Sequence, residues 1–214
     1  MVIGLLTIAA IPTTIGVGQA VSAQKKQNAA AKEKAKFHLT ATLSIDGGPP
    51  TEAWVVLVDN QLYIDHPDAP RPGHKFTGYY FTYPSEAQHR GLVSTIAEDP
   101  PMLNWIYVDK DTSAVKFGGR KDTLEHTIGP WGWSSDENFL TLEGDDSRFI
   151  AVEDAENKNW TVYLVTDRDG MSETGAAGGT EDVRQSHRWA PIKLRRRMQL
   201  GMESRYVKGE KDKE

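Results

Sequence analysis

The sequence predicts a mainly β protein: one antiparallel sandwich or barrel of about nine or ten strands, preceded by an N-terminal apolar and helical segment. Three observations carry this. Phe37 to Asp46 alternates strictly, with Phe37, Leu39, Ala41, Leu43 and Ile45 on one face and polar residues on the other. Short apolar runs then recur, separated by turn-forming residues. The 214-residue chain is 38% hydrophobic and 26% charged, an ordinary globular balance with room for about one domain.

The elements follow in order. Gly47-Gly48-Pro49-Pro50 ends the first strand. Trp54–Val58, the turn Asp59-Asn60 and Gln61–His66 form a hairpin. A proline-rich loop leads to the aromatic strand Phe76–Tyr83, stopped by Pro84. Leu92–Ile96 reads as weakly helical. Trp105–Asp109 and Ala114–Phe117 form a second hairpin, and Leu124–Ile128 reads as a strand. Gly129-Pro130-Trp131-Gly132-Trp133 has a turn-like composition. Phe139–Glu143, Phe149–Glu153 and Trp160–Thr166 complete the set. Hairpins resemble one another, but no fixed repeat period holds, which argues against a propeller. In Trp189–Met198, Pro191 points to an edge strand.

The organisation is therefore residues 1–36, an apolar segment with a basic helical stalk; 37–166, the β domain; 167–187, a flexible loop rich in small and acidic residues; and 188–214, a terminal strand with a basic disordered tail. Charge follows these divisions. The net charge of −5 is the sum of +4 over residues 1–36, −14 over 37–187 and +5 over 188–214. An acidic body repels phosphates, so no nucleic-acid partner is expected.

Residues 2–23 contain no ionisable side chain. Three readings stay open: a secretory signal cleaved near Ala23, a retained membrane anchor, or a segment lying in an interface. Lys25, Lys26, Lys32, Lys34 and Lys36 all follow the apolar stretch, which for a retained anchor leaves the body cytosolic. These lysines are the candidate contacts to anionic headgroups.

The chemistry-bearing motifs are mostly absent. There is no cysteine, which removes disulfides, thiolate nucleophiles and cysteine-ligated metals. There is no phosphate-binding glycine loop and no nucleophile elbow. The histidines, His38, His66, His74, His89, His126 and His187, never fall at metal-ligand spacing. Hence no catalytic residue, metal or cofactor is assigned. The aromatic residues offer the one candidate ligand site: Trp131 and Trp133, with Trp105 and Tyr107 on another strand, could stack on a flat ligand such as a sugar ring if exposed. The competing reading is that they pack the core.

The stretches MVIGLLTIAAIPTTIGVGQAVSAQKKQNA, GHKFTGYYFTYP, GLVSTIAEDPPMLNWIYVDKDT, and GPWGW through LTLEG resemble a family of filamentous-fungal proteins with an N-terminal hydrophobic segment and a β-rich body. The resemblance runs from Met1 to about Thr166. It implies a fungal source and a small accessory-type protein, and it brings no catalytic residues. The first functional expectation is a non-enzymatic protein at a membrane surface, interacting with a protein partner. The alternative is a secreted module binding a glycan through exposed tryptophans. A third is an enzyme with a dispersed carboxylate or histidine site.

Overall fold

The computed structural model describes residues 24, 35–84, 86–98, 101–165, 184 and 186–198. The chain divides into two compact units, Met1–Ala35 and Lys36–Glu214. Of the first, only Gln24 and Ala35 are described. The second holds β1 (Phe37–Leu43), β2 (Thr51–Val58), β3 (Gln61–Asp65), β4 (His74–Lys75), β5 (Gly78–Thr82), β6 (Arg90–Glu98), β7 (Pro101–Val108), β8 (Val115–Gly118), β9 (Trp131–Trp133), β10 (Leu140–Leu142), β11 (Phe149–Glu153), β12 (Trp160–Leu164), β13 (Trp189–Pro191) and β14 (Leu194–Met198).

Six of these strands close a ring. β1 pairs with β5 at Phe37 and Gly78, and β5 pairs along its length with β6. β6 lies beside β9, and β9 pairs with β10. A bridge from Phe139 to Arg195 joins the β10 end to β14, which pairs with β1. The alternation read from the sequence explains the filling: Phe37, Leu39 and Ala41 of β1, Tyr80 of β5, Leu92 of β6, Trp131 of β9, Leu140 of β10 and Leu194 of β14 are all buried in one core. The expected sandwich-or-barrel fold is thus a barrel.

Three hairpins, β2–β3, β7–β8 and β11–β12, stand on this ring and meet one another. β3 pairs with β8 at Gln61 and Lys116, and with β12 at Tyr63 and Thr161. Ala114 bridges to Tyr163, which brings β8 to β12. Each third of the domain is a strand, a hairpin and a strand: β1 to β5, β6 to β9, and β10 to β14. The hairpin resemblance read from the sequence is this threefold plan, and its spacing is not fixed. The aspartates that open the three hairpin turns, Asp59, Asp109 and Asp154, are 50 and 45 residues apart. Unequal loops and the added short strands β4 and β13 hide the period.

Three local expectations also change. Leu92–Ile96 is part of β6, because Val93, Thr95 and Ile96 are β-branched and the segment pairs with both β5 and β7. Leu124–Ile128 is not a strand. A 3₁₀ turn at Arg120–Thr123 is closed by the Asp122 carboxylate accepting the Gly119 N–H at 2.8 Å, and Glu125 has φ +68°, so only a Thr127–Val108 bridge remains. Trp131–Trp133 is a strand rather than a turn. Pro191 does sit on a short strand at the sheet edge, paired only with β11.

Ring closure needs one glycine. Gly129 has φ +151°, and a Cβ there would lie 2.5 Å from the Arg90 carbonyl oxygen at the start of β6. Gly129→Ala is expected to cost about 1–3 kcal/mol through this backbone clash. A lowered urea midpoint with unchanged slope is the readout, and an unchanged midpoint would show that the contact is slack.

Candidate functional site

The hairpin surface carries the arrangement of polar groups best suited to a ligand. Where β3 meets β12, the outward side chains of the two strands face each other: Gln61 and Tyr63 from β3, Thr161 and Tyr163 from β12. They border a cleft of about 210 Å³ that Glu153, Asp154 and His187 complete. The local cause is strand alternation. Leu62 and Ile64, and Trp160 and Val162, point into the core, so the intervening residues must face out.

The cleft groups are held in place. The Tyr63 hydroxyl donates to Gln61 Oε1 at 3.1 Å, and the Arg71 guanidinium lies 5.1 Å from the Tyr63 ring centre. Burial raises the Tyr163 phenol above its ordinary value, so it stays protonated and can donate. Asp154 opens a tight loop. Its carboxylate accepts from Asn157 Nδ2 at 2.8 Å and from the Glu156 N–H at 2.9 Å, which holds it below the usual carboxylate range. Glu153 is buried and ion-paired with Arg188 at 3.2 Å. Asp154 is therefore not a poised proton donor near neutral pH. A second depression, of about 500 Å³, is floored by Phe139, Pro191 and Ile192, and its Lys193 is already paired with Asp146 at 3.0 Å.

The aromatic residues singled out from the sequence do not form this site. Trp131 is 1% exposed and stacks on Phe149, so the expectation of an exposed tryptophan pair is corrected. The cause is strand β9, which turns the Trp131 indole into the barrel. Trp133 is half-buried, set edge-on to Phe37 at 4.6 Å and Tyr80 at 5.2 Å, with the Arg196 guanidinium over its ring. Trp105 packs on Tyr83 at 4.8 Å, and Tyr107 is buried and stacked on His126. Lys36 is exposed. Lys25, Lys26, Lys32, Lys34 and the apolar stretch 2–23 lie outside the described residues. Among the described residues no helix is long and apolar enough to cross a membrane, and no three His, Asp or Glu side chains are grouped to hold a metal ion.

Sequence reasoning did not single out Tyr63, Tyr163, Gln61, Thr161 or Asp154. Their signal was present as the polar half of two alternating strands. That half identifies an outward face, and only strand pairing shows that the two faces adjoin.

In comparison with known proteins, a family model described as a fungal β-trefoil domain matches residues 16–200. No curated protein and no solved structure matches.

Proposed function

Since the chain belongs to the fungal β-trefoil domain family, we propose that it is a binding module which seats one unit of a glycan in the cleft between β3 and β12. β-Trefoil domains often bind carbohydrate or protein, and this chain has the chemistry for the first. The observation that carries the reading is the convergence of two tyrosines, an amide and a carboxylate on one small cleft. Sugars are recognised by aromatic faces for their C–H surfaces and by planar polar groups for their hydroxyls. At about 210 Å³ the cleft is smaller than the roughly 300–1,000 Å³ of drug-sized sites, which suits a single ring. Acid–base catalysis is disfavoured, because the Asp154 carboxyl is held below its ordinary range by its loop and the Glu153 carboxylate is taken up in an ion pair with Arg188.

Tyr63→Ala is expected to weaken binding of a responsive glycan by about tenfold, or 1.4 kcal/mol, with the melting temperature nearly unchanged because the ring is only half-buried. A glycan array followed by titration calorimetry measures it. Binding that is indifferent to Tyr63 would move the site elsewhere.

A further inference from the structure

Building on the glycan reading of the cleft, we propose that its ligand carries a protonated amine: an amino sugar whose nitrogen is not acylated. The warrant is internal, because the domain contains the same hairpin loop with and without a cation.

The loops opened by Asp109 and Asp154 are one backbone design. The N–H of each aspartate donates to the last loop carbonyl, at 3.0 Å to Ala114 and 2.8 Å to Asn159. Ser113 and Lys158 each donate back to the aspartate carbonyl at 2.8 Å, with φ of +61° and +59°. One carboxylate oxygen of each accepts the N–H two residues on, at 3.0 Å from Asp111 and 2.9 Å from Glu156.

The loops differ at the other carboxylate oxygen. Asp109 Oδ2 receives the Lys116 ammonium at 2.7 Å. Strand register puts Thr161 at the position of Lys116, since Tyr107 faces Lys116 as Val152 faces Thr161. In the third hairpin Asp59 is met by the Arg71 guanidinium at 2.7 Å. Two of the three aspartates therefore have a cation supplied by the chain. Asp154 has the neutral amide of Asn157 and the His187 imidazole near it in the cleft, and among the described residues no Lys or Arg reaches it. Where Lys116 fills its loop, the β3–β12 side has an open cleft instead.

A carboxylate offers about four acceptor positions, so Asp154 has capacity beyond the Asn157 amide and the Glu156 N–H it meets. Glu153 is already matched by Arg188, which leaves Asp154 as the cleft carboxylate that no Lys or Arg meets among the described residues. An ammonium on the ligand completes the pair by a charge-assisted hydrogen bond. Gln61 and Thr161 remain for the ring hydroxyls.

The test is calorimetric titration of the whole chain with β-1,4-linked glucosamine trimer, its N-acetylated form and a neutral glucose trimer. The amine trimer is expected to bind at least about tenfold tighter than the other two, with the gap narrowing in about 0.5 M salt. Thr161→Lys is expected to abolish amine binding without lowering the melting temperature, by placing an ammonium where Lys116 has one. Asp154→Asn, which keeps the loop's shape, is expected to erase the preference and guards against misfolding of the first variant. Equal or tighter binding of the acetylated or neutral trimer overturns the amine and leaves the glycan reading standing. Amine binding that survives both variants is non-specific attraction to the acidic body and overturns it too. If no saccharide binds, both readings fall. Preference for N-acetyl-lysine amide with its free side-chain amine would assign the cleft to a protein partner and overturn the proposal.

Discussion

Replacing Trp131 with alanine is expected to lower the melting temperature of the β domain by about 6–20 °C. The indole is 1% exposed, sits at the centre of the barrel filling and stacks on Phe149 with 14° between the ring planes. Truncating a buried tryptophan costs about 3–5 kcal/mol, and each kcal/mol moves the midpoint of a domain of this size by about 2–4 °C. Among the described residues the indole N–H has no partner, so the loss comes from packing and cavity formation rather than from a broken hydrogen bond. Trp133→Ala should cost less, because that ring is half-buried and part of its contact is with the Arg196 guanidinium rather than with apolar core. Thermal unfolding followed by circular dichroism decides between them. A melting temperature unchanged by Trp131→Ala would contradict the core position and return that residue to the surface.

Asp109→Ala is expected to destabilise by about 2–3 kcal/mol, the range for removing hydrogen bonds to a charged group. Its side chain is 11% exposed and takes two backbone N–H groups, from Asp111 at 3.0 Å and Thr112 at 2.9 Å, besides the Lys116 ammonium. Asp154→Ala should cost only about 1 kcal/mol, since its bonds are with an exposed loop. The pH dependence follows. Burial alone raises the Asp109 carboxyl; Lys116 and the two N–H groups more than reverse this and hold it well below the usual range. A depressed folded value means the carboxylate form favours the folded state. The stabilisation is complete above the unfolded value of about 3.9 and is lost as pH falls through the folded value. Urea midpoints at a series of pH values should therefore fall towards acid more steeply for the native chain than for Asp109→Asn. Parallel curves would show that Asp109 contributes no such linkage.

Much of the strand content was legible because its cause is local. Phe37–Leu43, Phe149–Glu153 and Trp160–Leu164 show period-two alternation or short β-rich runs, and all are strands. The errors fall where a distant partner overrules a local preference. Leu92–Ile96 has residues that a short helix tolerates, yet both of its edges are taken by neighbouring strands. Trp131-Gly132-Trp133 looks like a turn until β10 pairs with it. The aromatic residues illustrate the same limit from the other side. Tryptophan serves a core as well as a ligand surface, and the burial of Trp131 separates the two uses.

By itself the amino-acid sequence determined the class: an acidic, cysteine-free β body made of short alternating strands, with apolar residues spaced to fill one core. That much follows from side-chain periodicity and turn chemistry, which act over a few residues. The tertiary structure alone decided that six strands close a ring, that each third is a strand, a hairpin and a strand, and that Tyr63 and Tyr163 share a cleft. These depend on which strand edges find each other across about a hundred residues of chain. Backbone hydrogen bonding specifies that an edge must be paired without naming its partner. The partner is chosen by the summed burial of all the inward faces, a property no single segment carries.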